Sequence, residues 1–216
     1  MISAAISIDG YRDDNLPGRL KLSSPEDWEA VARLRAECDA ILVGANTVRK
    51  DNPSLVIKDD RLRKERAASG LPEDITKVTV TSSGNIDPAS DFFTKGAGWK
   101  IVFYSGSDAS FGNTFGGDVT VIRTPKTTAS LIVEALQKLG IEKLMVEGGQ
   151  HILSMFLTEG IADHIRLAMA PFFVGDSSAP RLPVEGRFYW NKDNRLVLEK
   201  VENLGGTAVM HFASQR

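Results

Sequence analysis

Cysteine and histidine are scarce in this sequence. The 216 residues include one cysteine, Cys38, which excludes an internal disulfide framework and a cysteine-based zinc site. The three histidines, His151, His164 and His211, lack the spacing of metal ligands. His164 and His211 are expected on half-polar strands. A lone thiol fits a reducing compartment, so we expect a cytoplasmic protein that binds no metal.

Strong net charge and long apolar runs are also missing. The formal net charge is −2, so the sequence has no excess of basic residues of the kind a general nucleic-acid binder needs. No apolar run approaches the roughly 20 residues of a membrane span. The N-terminus has no basic segment and is interrupted by Asp9-Gly10, which does not fit a signal peptide. The length and the apolar fraction of 42% predict a single globular domain over residues 1–216.

Several common catalytic and nucleotide-binding motifs are absent. No Gly-x-Gly-x-x-Gly follows the first predicted strand, so an ordinary Rossmann dinucleotide site is not expected. Walker, His-Glu-x-x-His and Gly-x-Ser-x-Gly motifs are missing too. Because no obvious nucleophile remains, we expect a cofactor to supply the difficult chemistry.

Strands and helices alternate over most of the chain. Apolar runs and turn residues predict strands at 2–8, 39–44, 78–84, 100–104, 119–122, 144–147 and 163–171, a short extended piece at 55–57, and helices at 25–37, 128–139 and 149–159. The last third alternates around Gly205-Gly206, which predicts a terminal hairpin. The pattern predicts an α/β fold with a mixed, mostly parallel sheet flanked by helices and an antiparallel C-terminal hairpin.

Ligand-binding groups are expected where parallel strands end, because their carboxyl ends share one edge of a sheet. Gly44, Ser82 and Glu147-Gly148-Gly149 all follow or end predicted strands. The paired glycines also open a predicted helix, whose free N–H groups and dipole favour a phosphate. An ordinary turn that needs glycine only for its dihedral angles is the alternative. The shared edge favours the anion site.

Three other polar side chains are candidates for binding. Arg35 falls on the apolar stripe of its predicted helix, which consists of Trp28, Val31, Leu34 and Cys38. An inward guanidinium requires an anion, either a carboxylate partner or a ligand phosphate. Thr47 and Asp51 are four residues apart, so a helical turn presents them side by side. That pair suits a sugar diol, and it also suits helix capping.

Seven short stretches follow one another in an order and spacing typical of one known family: Ser7-Ile-Asp-Gly10, Leu34-Arg35, Asp39-Ala-Ile-Leu-Val-Gly44, Thr47-Val48, Asp51-Asn-Pro-Ser-Leu55, Val146-Glu-Gly-Gly149 and Ala170-Pro171 with Gly175. Together they resemble the ribosylaminopyrimidine-phosphate reductases of riboflavin biosynthesis, which have a dihydrofolate-reductase-like fold. The zinc motifs of the family's deaminase partner domain, His-x-Glu and Pro-Cys-x-x-Cys, are missing, so the chain is similar to the reductase alone.

The resemblance implies that NADPH reduces the ribosyl group of a 5-phosphoribosylamino pyrimidine to the ribityl form, through a ring-opened imine. It implies a homodimer as well. The cofactor-binding residues it implies are Thr47, Asp51, Ser82, Gly148, Gly149, Gln150, His151, Ile152 and Leu153. On the substrate side it implies Arg35, Leu55, Lys58 and Glu147, with Glu147 as the catalytic residue.

The sequence departs from the family pattern in three places. Only Met1-Ile-Ser3 precede the first strand's motif, where family members often carry a lysine. Pro17-Gly-Arg-Leu-Lys21 stands in place of Gly-x-Ser-x-Trp, and Lys58 replaces a common arginine with a point charge. Two alternatives therefore remain: reduction of another heterocycle such as a pterin by the same fold and cofactor, or NADPH binding without turnover.

Overall fold

A computed structural model of the protein describes residues 1–18, 20–182 and 186–215. In chain order the elements are β1 (Ile2–Ser7), α1 (Pro25–Glu37), β2 (Ala40–Gly44), α2 (Ala45–Asp51), α3 (Asp60–Ala68), β3 (Thr76–Thr81), α4 (Asp91–Thr94), β4 (Lys100–Tyr104), a 3₁₀ turn (Phe111–Thr114), β5 (Val119–Arg123), α5 (Ala129–Lys138), β6 (Leu144–Gly148), α6 (Gln150–Glu159), β7 (His164–Ala170), β8 (Val197–Leu204) and β9 (Thr207–Ala213). None of the helices in these ranges has the length and apolar character that a membrane crossing needs.

The chain forms two compact units. The first combines Met1–Val31 with Val146–Arg216, and the second is Ala32–Met145. The sequence predicted one domain over residues 1–216, and that remains a prediction.

The strands of the first unit lie in the order β6-β1-β7-β9-β8. Strand β1 is parallel to both β6 and β7, and Ser7 pairs with Ala170 at their carboxyl ends. Strand β9 runs antiparallel to β7 and to β8, and Gly205-Gly206 connects β8 to β9 with φ angles of 58° and 88°. Glycine suits this turn because L-residues rarely adopt positive φ. The predicted C-terminal hairpin is confirmed.

The second unit contains four parallel strands in the order β5-β4-β3-β2. Strands β2 and β4 are buried along their whole length, as expected for strands with apolar residues on both faces. Gly44, at the end of β2, pairs with Val80 near the end of β3, so these strands end at the same edge. The predicted mixed, mostly parallel sheet is confirmed.

Side-chain caps define the starts of three helices. The hydroxyl of Ser24 accepts the N–H of Asp27 (3.0 Å), and the hydroxyl of Thr128 accepts the N–H of Leu131 (3.2 Å). Asp59 accepts the N–H of the residue two positions on, at the start of α3. Each cap satisfies an N–H group that the helix itself leaves without a partner. The predicted helix start at residue 25 is confirmed, and the cap of α5 is Thr128.

The structure differs from the sequence prediction at two apolar positions. Leu55–Ile57 is not a strand, because Leu55 has a left-handed backbone with φ of 49°, which interrupts an extended segment. Leu55 is nevertheless buried. Trp28, predicted on the inward face of α1, is 38% exposed. Its neighbour Asp27 takes the buried position and pairs with buried Arg166, which turns the inward face of the helix away from Trp28.

A fully buried lysine lies in β3, which begins two residues earlier than predicted. The ammonium of Lys77 donates to the carbonyl oxygens of Phe92 (3.0 Å) and Lys95. Burial, together with the nearby charge of Lys100, lowers the pKa of Lys77 to about 8. No sequence pattern indicated this burial, because lysine is rarely found without solvent contact.

Candidate active site

In the first unit, the carboxyl ends of three parallel neighbours lie along one edge of the sheet. Strands β6, β1 and β7 run in the same direction. Glu147 is the residue before the last in β6 and is half-buried. Ligands of parallel α/β sheets bind at this kind of edge. The predicted Glu147-Gly148-Gly149 stretch therefore occupies a suitable position for a binding site.

Helix α6 begins without a side-chain cap. Gly149 stands at the cap position with φ of 75° and ψ of 134°, and its carbonyl accepts the N–H of Leu153 (3.1 Å). The first turn contains no acidic residue. The first backbone N–H groups of the helix, from Gln150 onward, have no partner within the helix, and the dipole adds roughly half a positive charge there. This end of α6 fits a phosphate group.

The side chains in the first turns of α6 differ in exposure. Ile152 and Leu153 are buried and anchor the helix, whereas His151 is exposed and Gln150 is half-buried. If this segment binds a ligand, the buried pair can contribute only through its backbone. Glycine at 148 and 149 leaves space for a ligand to approach that backbone closely.

In the second unit, Thr47, Asp51 and Ser82 follow adjacent strands. Thr47 and Asp51 lie on α2, directly after β2, and Ser82 directly follows β3. The guanidinium of Arg49 donates to the carbonyl of Asn85, which ties α2 to the segment after β3. Thr47 is half-buried, while Asp51 and Ser82 are exposed. The structure therefore brings all three predicted cofactor residues of this unit to one edge.

Three predicted substrate residues also belong to the second unit. Arg35 lies half-buried in the last turn of α1, and Lys58 is exposed just before the cap of α3. Leu55 is buried despite its positive φ. A non-glycine residue in this conformation costs about 1–3 kcal/mol, and such strain is common at functional sites. The fourth predicted substrate residue, Glu147, lies in the first unit.

Among the described residues, no group of three or more His, Cys, Asp or Glu side chains could hold a metal ion. The groups that are present are uncapped backbone N–H groups, hydroxyls, carboxylates and basic side chains. This set suits phosphorylated ligands with sugar diols.

Comparison with known proteins identifies the family. Residues 1–210 match the family described as the RibD C-terminal domain. The chain belongs to this family.

Two curated relatives of this RibD C-terminal domain are similar over nearly their whole length. The protein of Methanothermobacter thermautotrophicus is 31% identical over 215 residues, which cover 98% of this chain and 96% of the relative. The protein of Archaeoglobus fulgidus is 29% identical over 206 residues, covering 94% and 92%. Both relatives are named 2,5-diamino-6-ribosylamino-4(3H)-pyrimidinone 5′-phosphate reductase. Membership in a reductase family implies a nicotinamide cofactor.

Solved structures share the fold of this RibD C-terminal domain. A deaminase/5-amino-6-(5-phosphoribosylamino)uracil reductase of Thermotoga maritima has a TM-score of 0.79 at 19% identity over 99% of this chain. The present chain spans 55% of that bifunctional protein. A pyrimidine reductase-like protein of Corynebacterium diphtheriae has a TM-score of 0.76 at 23% identity, over 100% of this chain and 91% of the other. These likenesses confirm the predicted dihydrofolate-reductase-like fold.

Sequence reasoning did not single out Asp9, which organises one edge of this RibD C-terminal domain. The Asp9 carboxylate accepts the hydroxyl of Ser7 (2.5 Å) and the N–H groups of Val174 (3.1 Å) and Gly175 (2.8 Å). Burial alone raises the pKa of Asp9, but these hydrogen bonds outweigh it and lower the pKa to about 2. The only sequence signal was the Ser-x-Asp-Gly motif itself.

Sequence reasoning also missed Arg66, because it lies in a charged segment, residues 58–76, of a kind that is usually solvated. Its guanidinium is 2% exposed and donates to the carbonyl oxygens of Ala36 (2.7 Å), Cys38 (2.6 Å) and Pro72 (2.9 Å). Arg66 thereby fixes the backbone that follows Arg35. The segment Pro17–Lys21, whose sequence departs from the family pattern, includes Arg19, which lies outside the described residues.

Proposed function

We propose that this protein is an NADPH-dependent reductase that converts the ribosyl group of a 5-phosphoribosylamino pyrimidine to the ribityl form in riboflavin biosynthesis. The main support is its similarity to two relatives that share one reductase name, one of them at 31% identity over 98% of this chain. The uncapped start of α6 and the hydroxyl and carboxylate groups after β2 and β3 agree with a phosphorylated dinucleotide. When bound, NADPH supplies the hydride.

Two groups of residues hold the cofactor in this proposal. Backbone N–H groups in Gly148–Ile152, a range that includes Gly149, Gln150 and His151, bind phosphate. Leu153, whose N–H donates to Gly149, completes this cofactor segment and anchors the helix behind it. Thr47, Asp51 and Ser82 bind sugar hydroxyls, to which a carboxylate and two hydroxyls are suited. The preference for NADPH over NADH rests on the family resemblance. A comparison of kcat/KM for the two cofactors tests it directly.

The substrate residues have three roles in this proposal: phosphate binding, an apolar contact and proton supply. Arg35 and Lys58 bind the substrate phosphate by charge-assisted hydrogen bonds, and Leu55 provides an apolar contact. Hydride addition at C1 of the imine leaves its nitrogen in need of a proton. Glu147, half-buried at the end of β6, supplies that proton.

The test is a steady-state assay of NADPH oxidation with the diaminopyrimidinone and the aminouracil forms of the ribosyl phosphate. Loss of one charge-assisted hydrogen bond costs about 1.5–3 kcal/mol, so Arg35→Ala is expected to raise the substrate KM by about 10- to 100-fold. Arg33→Ala, on the exposed side of α1, serves as the control. Glu147→Gln is expected to spare NADPH binding and lower kcat. Unchanged kinetics in Arg35→Ala would remove that residue from the site.

A second candidate keeps the fold and the cofactor but reduces another heterocycle such as a pterin. The departures at Pro17–Lys21 and Lys58 favour including it. A panel with pterin substrates in the same assay distinguishes the two. Turnover of no substrate, together with tight NADPH binding, would instead support a non-catalytic binding protein.

We also propose a homodimer, on the family resemblance, and a cytoplasmic location, on the single cysteine. Sedimentation velocity of the purified protein tests the oligomeric state, and a monomer at micromolar concentration would contradict it.

A further inference from the structure

Phe173 presents an unusually exposed aromatic ring at the edge of the first unit. The residue is 69% exposed and follows β7 by three positions. Isolated exposed hydrophobic residues are common and need no explanation. Phe173 differs because the backbone on both sides of it is held in place.

Hydrogen bonds on both sides of Phe173 join the segment after β7 to the segment after β1, and we call this set of bonds the clamp. The carbonyl of Phe172 accepts the N–H of Ile8 (2.9 Å), and Asp9 accepts the N–H groups of Val174 and Gly175. Ile8 is 44% exposed, so two apolar side chains on joined backbones face solvent here. Adjacent exposed apolar residues of this kind mark ligand-binding surfaces more often than scattered ones do.

The same clamp continues for several residues beyond Asp9. Tyr11 forms an isolated antiparallel bridge with Arg181, and the Arg181 guanidinium lies 4.8 Å from the centre of the Tyr11 ring. The Arg181 side chain also donates to the carbonyl of Asp9 (2.9 Å). The backbone that carries Phe173 is therefore fixed before any ligand binds, which reduces the entropy that binding costs.

The position of Phe173 indicates which ligand group it meets. Strand β1 separates β7 from β6, so β7 lies two strand spacings, roughly 10 Å across the sheet, from the strand that leads into α6. A dinucleotide whose pyrophosphate lies at the start of α6 extends over a distance of this order through one ribose to its nicotinamide. Aromatic rings favour such planar partners.

We propose that Phe173 packs against the nicotinamide ring of the bound cofactor and that Asp9 is the positioning residue that holds it there. This inference rests on the proposed function, because it requires the cofactor phosphate at α6. It adds a ring-binding contact that none of the predicted cofactor residues supplies.

The decisive experiment compares two ligands that differ only in the ring. Isothermal titration calorimetry measures Kd for NADP and for 2′-phospho-ADP-ribose, which is NADP without nicotinamide. Phe173→Ala is expected to weaken NADP binding by about tenfold and to leave the fragment unchanged. Val201→Ala is the control, because Val201 is 59% exposed on the edge strand β8. That variant is expected to bind both ligands as the wild type does.

Asp9→Asn tests the positioning role. An amide keeps one acceptor oxygen and places its NH2 group against the other backbone donor, so hydrogen exchange at Val174 or at Gly175 is expected to accelerate and NADP to bind more weakly. The fragment is expected to bind as before, and Ser7→Ala, which spares both backbone bonds, is expected to change exchange little. Faster exchange with unchanged NADP affinity would show a purely structural role and overturn the positioning role.

The outcomes separate this inference from the proposed function. If the wild type binds neither ligand, the proposed cofactor site fails and the inference fails with it. If the wild type binds both and Phe173→Ala changes neither Kd, the inference alone is wrong. Equal weakening of NADP and the fragment, or a raised KM for the pyrimidine with unchanged NADP affinity, would also reject the nicotinamide contact.

Discussion

Replacing Gly149 with alanine perturbs the cofactor-binding turn in a defined way. Gly149 has φ of 75° and ψ of 134°, a conformation that L-residues rarely adopt. Holding alanine there costs about 1–3 kcal/mol. The chain can relieve this strain by rotating the peptide planes at the start of α6. That rotation turns the N–H groups of Gln150 and its neighbours away from their original direction.

The expected loss of affinity is that of one N–H group turning away from the phosphate. One charge-assisted hydrogen bond to a phosphate contributes about 1.5–3 kcal/mol, and its loss corresponds to a Kd about 10- to 100-fold higher. We therefore predict that Gly149→Ala weakens NADP binding by that factor. The unfolding free energy is expected to fall by about 1–3 kcal/mol, which is the cost of holding alanine in this backbone conformation.

Gly140→Ala provides a matched control. Gly140 follows α5 with φ of 80°, and a Cβ added there meets no atom within 4 Å. Its alanine variant also carries the cost of a positive φ, away from the predicted phosphate site. Urea denaturation is expected to show a loss of stability in both variants, whereas calorimetry is expected to show weaker NADP binding only in Gly149→Ala. Wild-type affinity in a destabilised Gly149→Ala protein would refute phosphate binding by these N–H groups.

Two further predictions concern buried charges. The pKa of Lys77 is about 8 in the folded protein, below its ordinary value of 10.5, so the unfolded chain binds more protons between these pH values. The unfolding free energy of the wild type is therefore expected to rise by about 2 kcal/mol from pH 8 to pH 10 relative to Lys77→Met, as measured by urea titration. A parallel pH dependence in both proteins would contradict this. For the buried pair of Asp27 and Arg166, Arg166→Met leaves an uncompensated carboxylate and is expected to cost about 3–5 kcal/mol. The double variant Asp27→Asn/Arg166→Met is expected to recover part of that loss, and strictly additive losses would argue against a direct pair.

Most strands and helices could be predicted because hydrophobic periodicity reflects burial. The caps at Ser24 and Thr128 and the turn at Gly205-Gly206 have local chemistry that determines local structure. The short helix Asp91–Thr94 was not predicted, since four residues are too few to show a helical period.

The buried polar groups could not be predicted, because each depends on residues distant in sequence. Asp27 meets Arg166 across 139 positions, and in the sequence it is indistinguishable from an acid that favours a helix start. Arg66 was hidden in a charged segment, and its partners Ala36 and Cys38 offer only backbone carbonyls, which no side-chain pattern records. Long-range hydrogen bonds of this kind become visible only with the fold.

The contrast between capped and uncapped helix starts supports the interpretation of Glu147-Gly148-Gly149. Helices α1, α3 and α5 each begin with a side-chain oxygen that accepts a backbone N–H, so their starts are partly satisfied by the protein. Helix α6 begins with Gly149, which has no side chain to offer. Its first N–H groups must bind water or a ligand, and a glycine there costs stability that a serine or threonine would provide. Helices α1, α3 and α5 are thus capped, whereas α6 is left open at the carboxyl end of a parallel strand. This is the arrangement expected for phosphate binding.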